Sequence, residues 1–135
     1  MLTKRVLVVD DESSITTSLT SVLQSEEVEV MTAATATEAE ALLRTHRPFG
    51  LVITDLSLAG TGSREGLDLI SQVKKLDPGA HAIMLTAHGS TQIRSEALQR
   101  GATDYWEKSI PIAEIVRRIR ALGLPVGPRS AREEE

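Results

Sequence analysis

The sequence predicts an α/β protein in which a parallel sheet carries helices on both faces. Short apolar runs alternate five times with longer amphipathic stretches, and this alternation is typical of repeated strand–helix units. The predicted strands are continuous and rich in Val, Ile and Leu, which suits strands that are buried on both faces. A chain of 135 residues is long enough for one such domain with a core of its own.

The first two units show the pattern clearly. The first strand is Val6-Leu7-Val8-Val9, and the helix after it places residues 15, 19, 22 and 23 on one apolar stripe. A weaker strand covers residues 29–33. Thr37 and Glu40 then form a capping-box pattern that predicts the start of the second helix.

The third and fourth units flank a long loop. The third strand covers residues 51–54, and the segment from Leu58 to Gly66 contains three glycines and is predicted to be a loop. The third helix has its apolar stripe at residues 67, 70, 73 and 76, and Asp77-Pro78-Gly79 ends it. The fourth strand covers residues 82–85.

The last two helices flank the fifth strand, residues 104–106. The fourth helix contains Ile93 and Leu98 and ends near Gly101. Pro111 begins the fifth helix, whose apolar stripe includes residues 112, 115, 116, 119 and 122. The domain is therefore expected to span residues 1–122. Residues 123–135 contain two prolines and three terminal glutamates and are expected to be a linker or a disordered tail.

Composition excludes several classes of function. The chain contains no cysteine, which excludes disulfides and thiolate metal sites. The formal net charge of -4 provides no basic surface for nucleic acid or anionic lipid. No apolar run has the length of a membrane span, so a cytoplasmic protein is expected. The three histidines are scattered, and no metal role is assigned to them.

Polar side chains follow four of the predicted strands directly. Asp10 and Asp11 follow the first strand, Asp55 the third, Thr86 the fourth and Lys108 the fifth. The carboxyl ends of parallel strands line the crevice where open α/β sheets bind ligands, so these side chains are expected to converge. Taken singly, an aspartate there is more often a helix cap, a threonine a turn residue and a lysine a solvated charge.

The combination of these groups suits phosphoryl transfer to a carboxylate. Three clustered carboxylates need a cation, and hard oxygen ligands favour Mg²⁺. One of the carboxylates can then act as the nucleophile, while the Lys108 ammonium and the Thr86 hydroxyl can each stabilise a phosphoryl oxygen in the transition state. Caps and turns do not require this combination of residue types.

Four segments resemble the receiver domain of a two-component response regulator, and the resemblance covers residues 4–122. The segments are Val8-Val9-Asp10-Asp11-Glu12, Val52-Ile53-Thr54-Asp55-Leu56, Met84-Leu85-Thr86-Ala87 and Gly101-Ala102-Thr103-Asp104-Tyr105-Trp106-Glu107-Lys108. The resemblance implies a doubly wound, flavodoxin-like (βα)5 fold with strand order 2-1-3-4-5.

The resemblance also implies roles for individual residues. Asp55 matches the phosphoacceptor. Asp10, Asp11, Asp55 and the backbone carbonyl of Ser57 match the Mg²⁺ ligands, with Asp10 acting mainly through water. Thr86 and Lys108 match the groups that contact the phosphoryl oxygens, and Thr86 and Tyr105 match the switch pair.

The implied function is a signalling switch that promotes only its own phosphorylation and dephosphorylation. The phosphoryl donor would be a sensor histidine kinase or a phosphotransfer protein. The surface of the fourth helix, fifth strand and fifth helix would then control a downstream effector or an output domain outside this chain. A homodimer through that surface is compatible with the resemblance, whereas direct nucleic-acid or membrane binding is not expected.

Two features depart from the family pattern. Ala59 stands where proline is common and Gly66 comes three residues late, so an extra segment near residues 61–65 borders the predicted site. It is interpreted as a tolerated surface insertion. Ser109 stands where proline usually follows the lysine. Because a cis bond before serine costs about 2.5–4 kcal/mol, a trans Lys108–Ser109 bond is expected unless its surroundings hold the cis form.

Two other functions are weighed against the signalling switch. A Mg²⁺-dependent phosphohydrolase of the haloacid-dehalogenase type would need its nucleophile after the first strand, with another aspartate two residues later. Asp10-Asp11-Glu12 lacks that spacing. A degenerate receiver that docks without phosphorylation is the second alternative, and the intact acidic set disfavours it.

Overall fold

The computed structural model describes residues 4–58 and 64–128, and five strands alternate with five helices along these residues. The strands are β1 (Lys4–Val9), β2 (Val28–Ala33), β3 (Leu51–Thr54), β4 (His81–Thr86) and β5 (Asp104–Glu107). The helices are α1 (Ser13–Leu23), α2 (Ala36–His46), α3 (Glu65–Leu76), α4 (Thr91–Gln99) and α5 (Ile112–Ala121). None of these helices combines the length and apolarity that crossing a membrane requires.

The strands form one parallel sheet in the order β2-β1-β3-β4-β5, which confirms the predicted fold and strand order. From β1 the chain first places β2 on one side, and it then crosses back to place β3 on the other side of β1. The strand order therefore reverses direction between β1 and β3. Open α/β sheets bind ligands at such a reversal, beyond the carboxyl ends of the strands.

Alternate residues of the central strands are buried on opposite faces of the sheet. Leu7 and Val9 of β1 belong to the core beneath α2, α3 and α4, whereas Val6 and Val8 belong to the core beneath α1 and α5. All four are at most 1% exposed. Burial on both faces explains why β1 is a continuous apolar run rather than an alternating one.

The start of α2 differs from the sequence-based prediction by two residues. Thr35 caps the helix, and its hydroxyl accepts a hydrogen bond from the Glu38 N–H at 3.1 Å. The Glu38 carboxylate in turn accepts one from the Ala34 N–H. Thr35 and Thr37 both precede a glutamate by three residues, so spacing alone does not distinguish them. The extended backbone at Thr35 decides in favour of the earlier threonine.

Residues 124–127, the C-terminal segment, pack against the core on the α1 and α5 side. Leu124 is 4% exposed and Val126 is fully buried. The Ser25 hydroxyl donates to the Pro125 carbonyl at 2.9 Å, and the Gly127 N–H donates to the Leu23 carbonyl at 3.3 Å. This part of the expected linker or tail therefore packs as part of the domain. Residues 129–135 lie outside the described residues.

Candidate functional site

The strand ends bring four of the predicted residues to one edge of the sheet. The N–H of Asp10 donates to Ala33 at 3.1 Å, that of Asp55 to Val9 at 3.0 Å, and that of Lys108 to Thr86 at 2.9 Å. Each bond continues the ladder between neighbouring strands by one residue. The backbone of these residues is therefore held by the sheet itself, while their side chains face the crevice.

Asp10, Asp11 and Asp55 form an acidic cluster. A carboxylate oxygen from each lies within 4.8 Å of one from each of the others. Asp10 and Asp55 are buried and Asp11 is exposed. A cleft of about 180 Å³ opens beside the cluster and is lined in part by Asp11, Ser13 and Glu38. Closely spaced hard oxygen donors with access to water fit a partly hydrated Mg²⁺ ion.

Lys108 links the cluster to β5. Its ammonium nitrogen Nζ lies 2.8 Å from Asp10 Oδ2, 2.8 Å from Glu12 Oε1 and 3.1 Å from Asp55 Oδ2. The Lys108–Ser109 peptide bond is trans, as the cost of a cis bond before serine predicts. The trans geometry does not prevent Lys108 from reaching Asp55.

Burial and ion pairing shift the pKa values of this group in opposite directions. Burial raises the pKa of Asp10, although the hydrogen bonds from Lys108 and the Glu12 N–H act against this. The hydrogen bond from Lys108 lowers the pKa of the Glu12 carboxyl. Burial alone would lower the pKa of Lys108, but its contacts with Asp10, Glu12 and Asp55 outweigh burial and raise it well above its ordinary value. Lys108 therefore stays protonated beside Asp55.

The backbone of Asp55 is packed against the first turn of α3. A Cβ atom on Gly66 would lie 2.0 Å from the Asp55 carbonyl oxygen, so glycine is required for this approach. The Gly66 N–H donates to the Leu56 carbonyl at 2.9 Å. The Leu56 N–H donates to Asp55 Oδ1 at 2.7 Å, which orients the carboxylate. Gly66 thus supports the candidate acceptor through the backbone.

The other predicted site residues lie around this edge. Thr86 is buried at the end of β4, where its hydroxyl accepts a long hydrogen bond of 3.4 Å from the His88 N–H. Ser57 is half-buried two residues after Asp55. Tyr105 lies on the α4 side of the sheet, where its ring packs against the core beneath α2, α3 and α4.

Glu12 is the contact residue that the sequence analysis did not assign. It stands at the N-cap of α1, and its carboxylate contacts Lys108 although 96 residues separate the two. Its place directly after Asp10-Asp11 is the signal that could have identified it. The extra segment near residues 61–65 was expected to border the site, but residues 59–63 lie outside the described residues.

The chain is similar in sequence to receiver domains of response regulators. The family model described as response regulator receiver domain matches residues 6–120. The alginate biosynthesis transcriptional regulatory protein AlgB of Pseudomonas aeruginosa is 38% identical over 104 residues, which are 77% of this chain and 22% of AlgB. The chain spans half or less of the length of the first curated relatives that it matches.

Solved structures show the same likeness. A CheY-like response regulator receiver domain protein from Methanospirillum hungatei superposes with a TM-score of 0.79 at 31% identity, covering 90% of this chain and 94% of that one. A response regulator from Burkholderia pseudomallei was solved with a phosphorylated aspartic acid, a calcium ion and citrate. It superposes with a TM-score of 0.74 at 28% identity, covering 87% of this chain and 71% of that one. Together with the family match, these likenesses establish that this chain belongs to the response regulator receiver domain family, whose members are signalling modules rather than classical enzymes.

Proposed function

We propose that this chain accepts a phosphoryl group on Asp55 in a Mg²⁺-dependent reaction and thereby controls a downstream partner. The observation that carries the proposal is the meeting of Asp10, Asp11, Asp55 and Lys108 at the carboxyl edge of the sheet. The family match supports the same assignment, and the phosphorylated aspartate of the Burkholderia pseudomallei relative supports the chemistry by analogy.

Asp55 is the proposed nucleophile. A carboxylate oxygen of Asp55 forms a bond to phosphorus while the bond between phosphorus and the donor breaks. With a phosphohistidine donor, the electron pair of that bond stays on the imidazole nitrogen. The Leu56 N–H and the Lys108 ammonium hold the two carboxylate oxygens, so the nucleophile is oriented before the donor arrives.

Asp10, Asp11, Asp55 and the Ser57 carbonyl would hold the metal. Mg²⁺ supplies compensation for the negative charge on the carboxylates and the phosphoryl oxygens when it is bound. Lys108 is close enough to Asp55 to follow one oxygen of the transferred group, and the Thr86 hydroxyl is the candidate donor to another. The same groups would assist the later hydrolysis of the phosphoaspartate.

The charge added at Asp55 would bias a conformational switch. A phosphoaspartate brings negative charge and strong acceptor oxygens to the end of β3. Movement of Thr86 towards them would shift the start of the β4–α4 loop, and Tyr105 would occupy the space that Thr86 leaves. The α4-β5-α5 surface would then contact an effector, an attached output domain or a second copy of the chain. The donor would be a sensor histidine kinase or a phosphotransfer protein.

Intact mass after treatment with acetyl phosphate tests the acceptor. With Mg²⁺, the unmodified sequence is expected to gain one phosphoryl group, while the Asp55→Asn variant gains none and removal of Mg²⁺ suppresses the gain. Asp68→Asn is the matched control, because Asp68 is an exposed carboxylate on α3 whose described partner is Arg100.

Three outcomes would contradict the proposal. Equal modification of Asp55→Asn would place the acceptor elsewhere. No modification of the unmodified sequence under any condition would favour docking without phosphorylation. Sustained turnover of a small phosphomonoester would favour the phosphohydrolase.

A further inference from the structure

The Tyr105 hydroxyl is buried without a partner. Among the described residues, it is the one buried side-chain polar atom that lacks a hydrogen bond of normal geometry. It lies beside the backbone of Ser90 in the loop between β4 and α4. Buried hydroxyls are usually hydrogen-bonded. Since this one has no hydrogen bond of normal geometry, packing of the ring holds Tyr105 in this position.

Gly89 provides the space that the hydroxyl occupies. A Cβ atom on Gly89 would lie 1.4 Å from the Tyr105 hydroxyl oxygen and 2.5 Å from Cζ, so the ring would have to move from its present position. The φ angle of Gly89 is not positive, so the backbone conformation itself does not require glycine. Glycine at position 89 therefore provides space for the ring and not an unusual backbone conformation.

We propose that Gly89 is a positioning residue that admits the Tyr105 ring to its buried site, so that the size of residue 89 decides on which side of the β4–α4 loop the ring lies. Any larger side chain at position 89 would expel the ring from this site. The hydroxyl has no hydrogen bond of normal geometry to hold the ring there, although it lies beside the Ser90 backbone of the same loop.

The signalling consequence of this proposal rests on the proposed function. Thr86 and Gly89 lie three residues apart, at the end of β4 and in the loop that follows it. A movement of Thr86 towards a phosphorylated Asp55 would carry the loop, and hence Gly89, relative to the ring. Closing the site with a side chain would leave Tyr105 outside whatever the state of Asp55.

The first test follows the ring itself by NMR at neutral pH. Tyr105 is the only tyrosine in the chain, so its ring signals are unambiguous. The unmodified sequence should show a nuclear Overhauser contact between this ring and the Gly89 α-protons. In Gly89→Ala, the corresponding contact to residue 89 should be lost. Gly79→Ala is the matched control, because a Cβ atom on Gly79 would meet nothing within 4 Å and its φ angle is not positive.

Alkaline titration of the phenol gives a second readout. Burial raises the pKa of Tyr105, and the Ser90 backbone acts against it; the charge of Glu107 also raises this pKa and that of Arg94 lowers it. In Gly89→Ala, the pKa is expected to shift down towards the ordinary value of about 10. Circular dichroism over the same range confirms that the chain stays folded.

A double-mutant cycle separates the steric clash from a loop effect. Gly89→Ala should lower the midpoint of chemical unfolding in the presence of Tyr105 and leave it nearly unchanged in a Tyr105→Ala background. A retained ring contact and an unshifted phenol pKa in Gly89→Ala would overturn the proposal. None of these measurements requires phosphorylation, so failure of the proposed function and failure of this inference are distinguishable.

Discussion

Lys108 compensates the charge of the acidic cluster at the residue scale. Its side chain is 10% exposed, and it contacts Asp10, Glu12 and Asp55 within hydrogen-bond distance. Removing Lys108 would leave the carboxylates of Asp10 and Asp55 buried without their cation, which is far more costly than the loss of an exposed pair. We therefore attribute the geometry of the cluster to Lys108 and consider Glu12, which is half-exposed, an adjustable partner.

Asp10 is expected to destabilise the fold at neutral pH. Because burial raises its pKa, the folded chain binds the proton more tightly than the unfolded chain. Stability therefore falls as the pH rises from the ordinary pKa of 3.8 through the raised one. In the presence of a chelator, Asp10→Asn should be more stable than the unmodified sequence at neutral pH. The difference should shrink as the pH falls towards 3.8.

Urea denaturation at a series of pH values measures this difference. Asp68→Asn serves as control, since Asp68 is an exposed carboxylate outside the cluster and its replacement should leave the pH profile close to that of the unmodified sequence. A lower stability of Asp10→Asn at neutral pH would show that the pairing of Asp10 with Lys108 outweighs the burial of its charge.

At the scale of elements, an ion-pair network connects α3 and α4. Arg100, the C-cap of α4, contacts Asp68 of α3 at 2.8 Å and Glu96 of α4 at 3.3 Å, and Glu96 also pairs with Arg64. Arg64 lies in the extra segment and is the first residue described after residues 59–63. Exposed pairs of this kind each contribute about 0–1 kcal/mol, so the network orients the loop end and α4 rather than stabilising the domain strongly.

The C-terminal segment is the element whose contribution to stability is most directly testable. Leu124→Ala should lower the free energy of unfolding by about 2–5 kcal/mol, the usual cost of truncating a buried leucine. Leu98→Ala on α4 is the matched control, because Leu98 is 37% exposed and its truncation should cost much less. Chemical denaturation of both variants gives the comparison. Equal effects would mean that residues 124–127 do not stabilise the domain.

At the scale of the whole molecule, the candidate site exists only in the folded chain. Asp10, Asp55 and Lys108 are spread over 98 positions of the sequence, and the parallel sheet brings them together. A ligand of these groups therefore binds the folded state and raises its stability by mass action.

Magnesium should stabilise the chain against unfolding. At free Mg²⁺ about one hundred times the dissociation constant, the expected gain is about 2.7 kcal/mol in the free energy of unfolding. Thermal denaturation with Mg²⁺ and with a chelator measures it, and the gain should be strongly reduced in Asp11→Ala. Gains of equal size in Asp11→Ala and the unmodified sequence would place the metal outside the acidic cluster.

Local patterns explain which features were predictable from the sequence. The runs Val6–Val9 and Leu51–Ile53 are apolar because both faces of the strands are buried, and such a signal depends only on neighbouring residues. The polar residues that end these strands were predictable for the same reason. Composition did not predict the packing of residues 124–127, because Pro125 and Gly127 suggested a linker. The alternation of Leu124 and Val126 around Pro125 was the missed sign of packing.

The sequence by itself determined the (βα)5 fold, the strand order through family resemblance, and the edge at which Asp10, Asp55 and Lys108 meet. Only the tertiary structure decided that Glu12 contacts Lys108, that the Gly89 position admits the Tyr105 ring, and that residues 124–127 close the core. The physical reason is separation along the chain. These contacts join residues between 16 and 104 positions apart, so their partners are defined by packing and not by any local pattern.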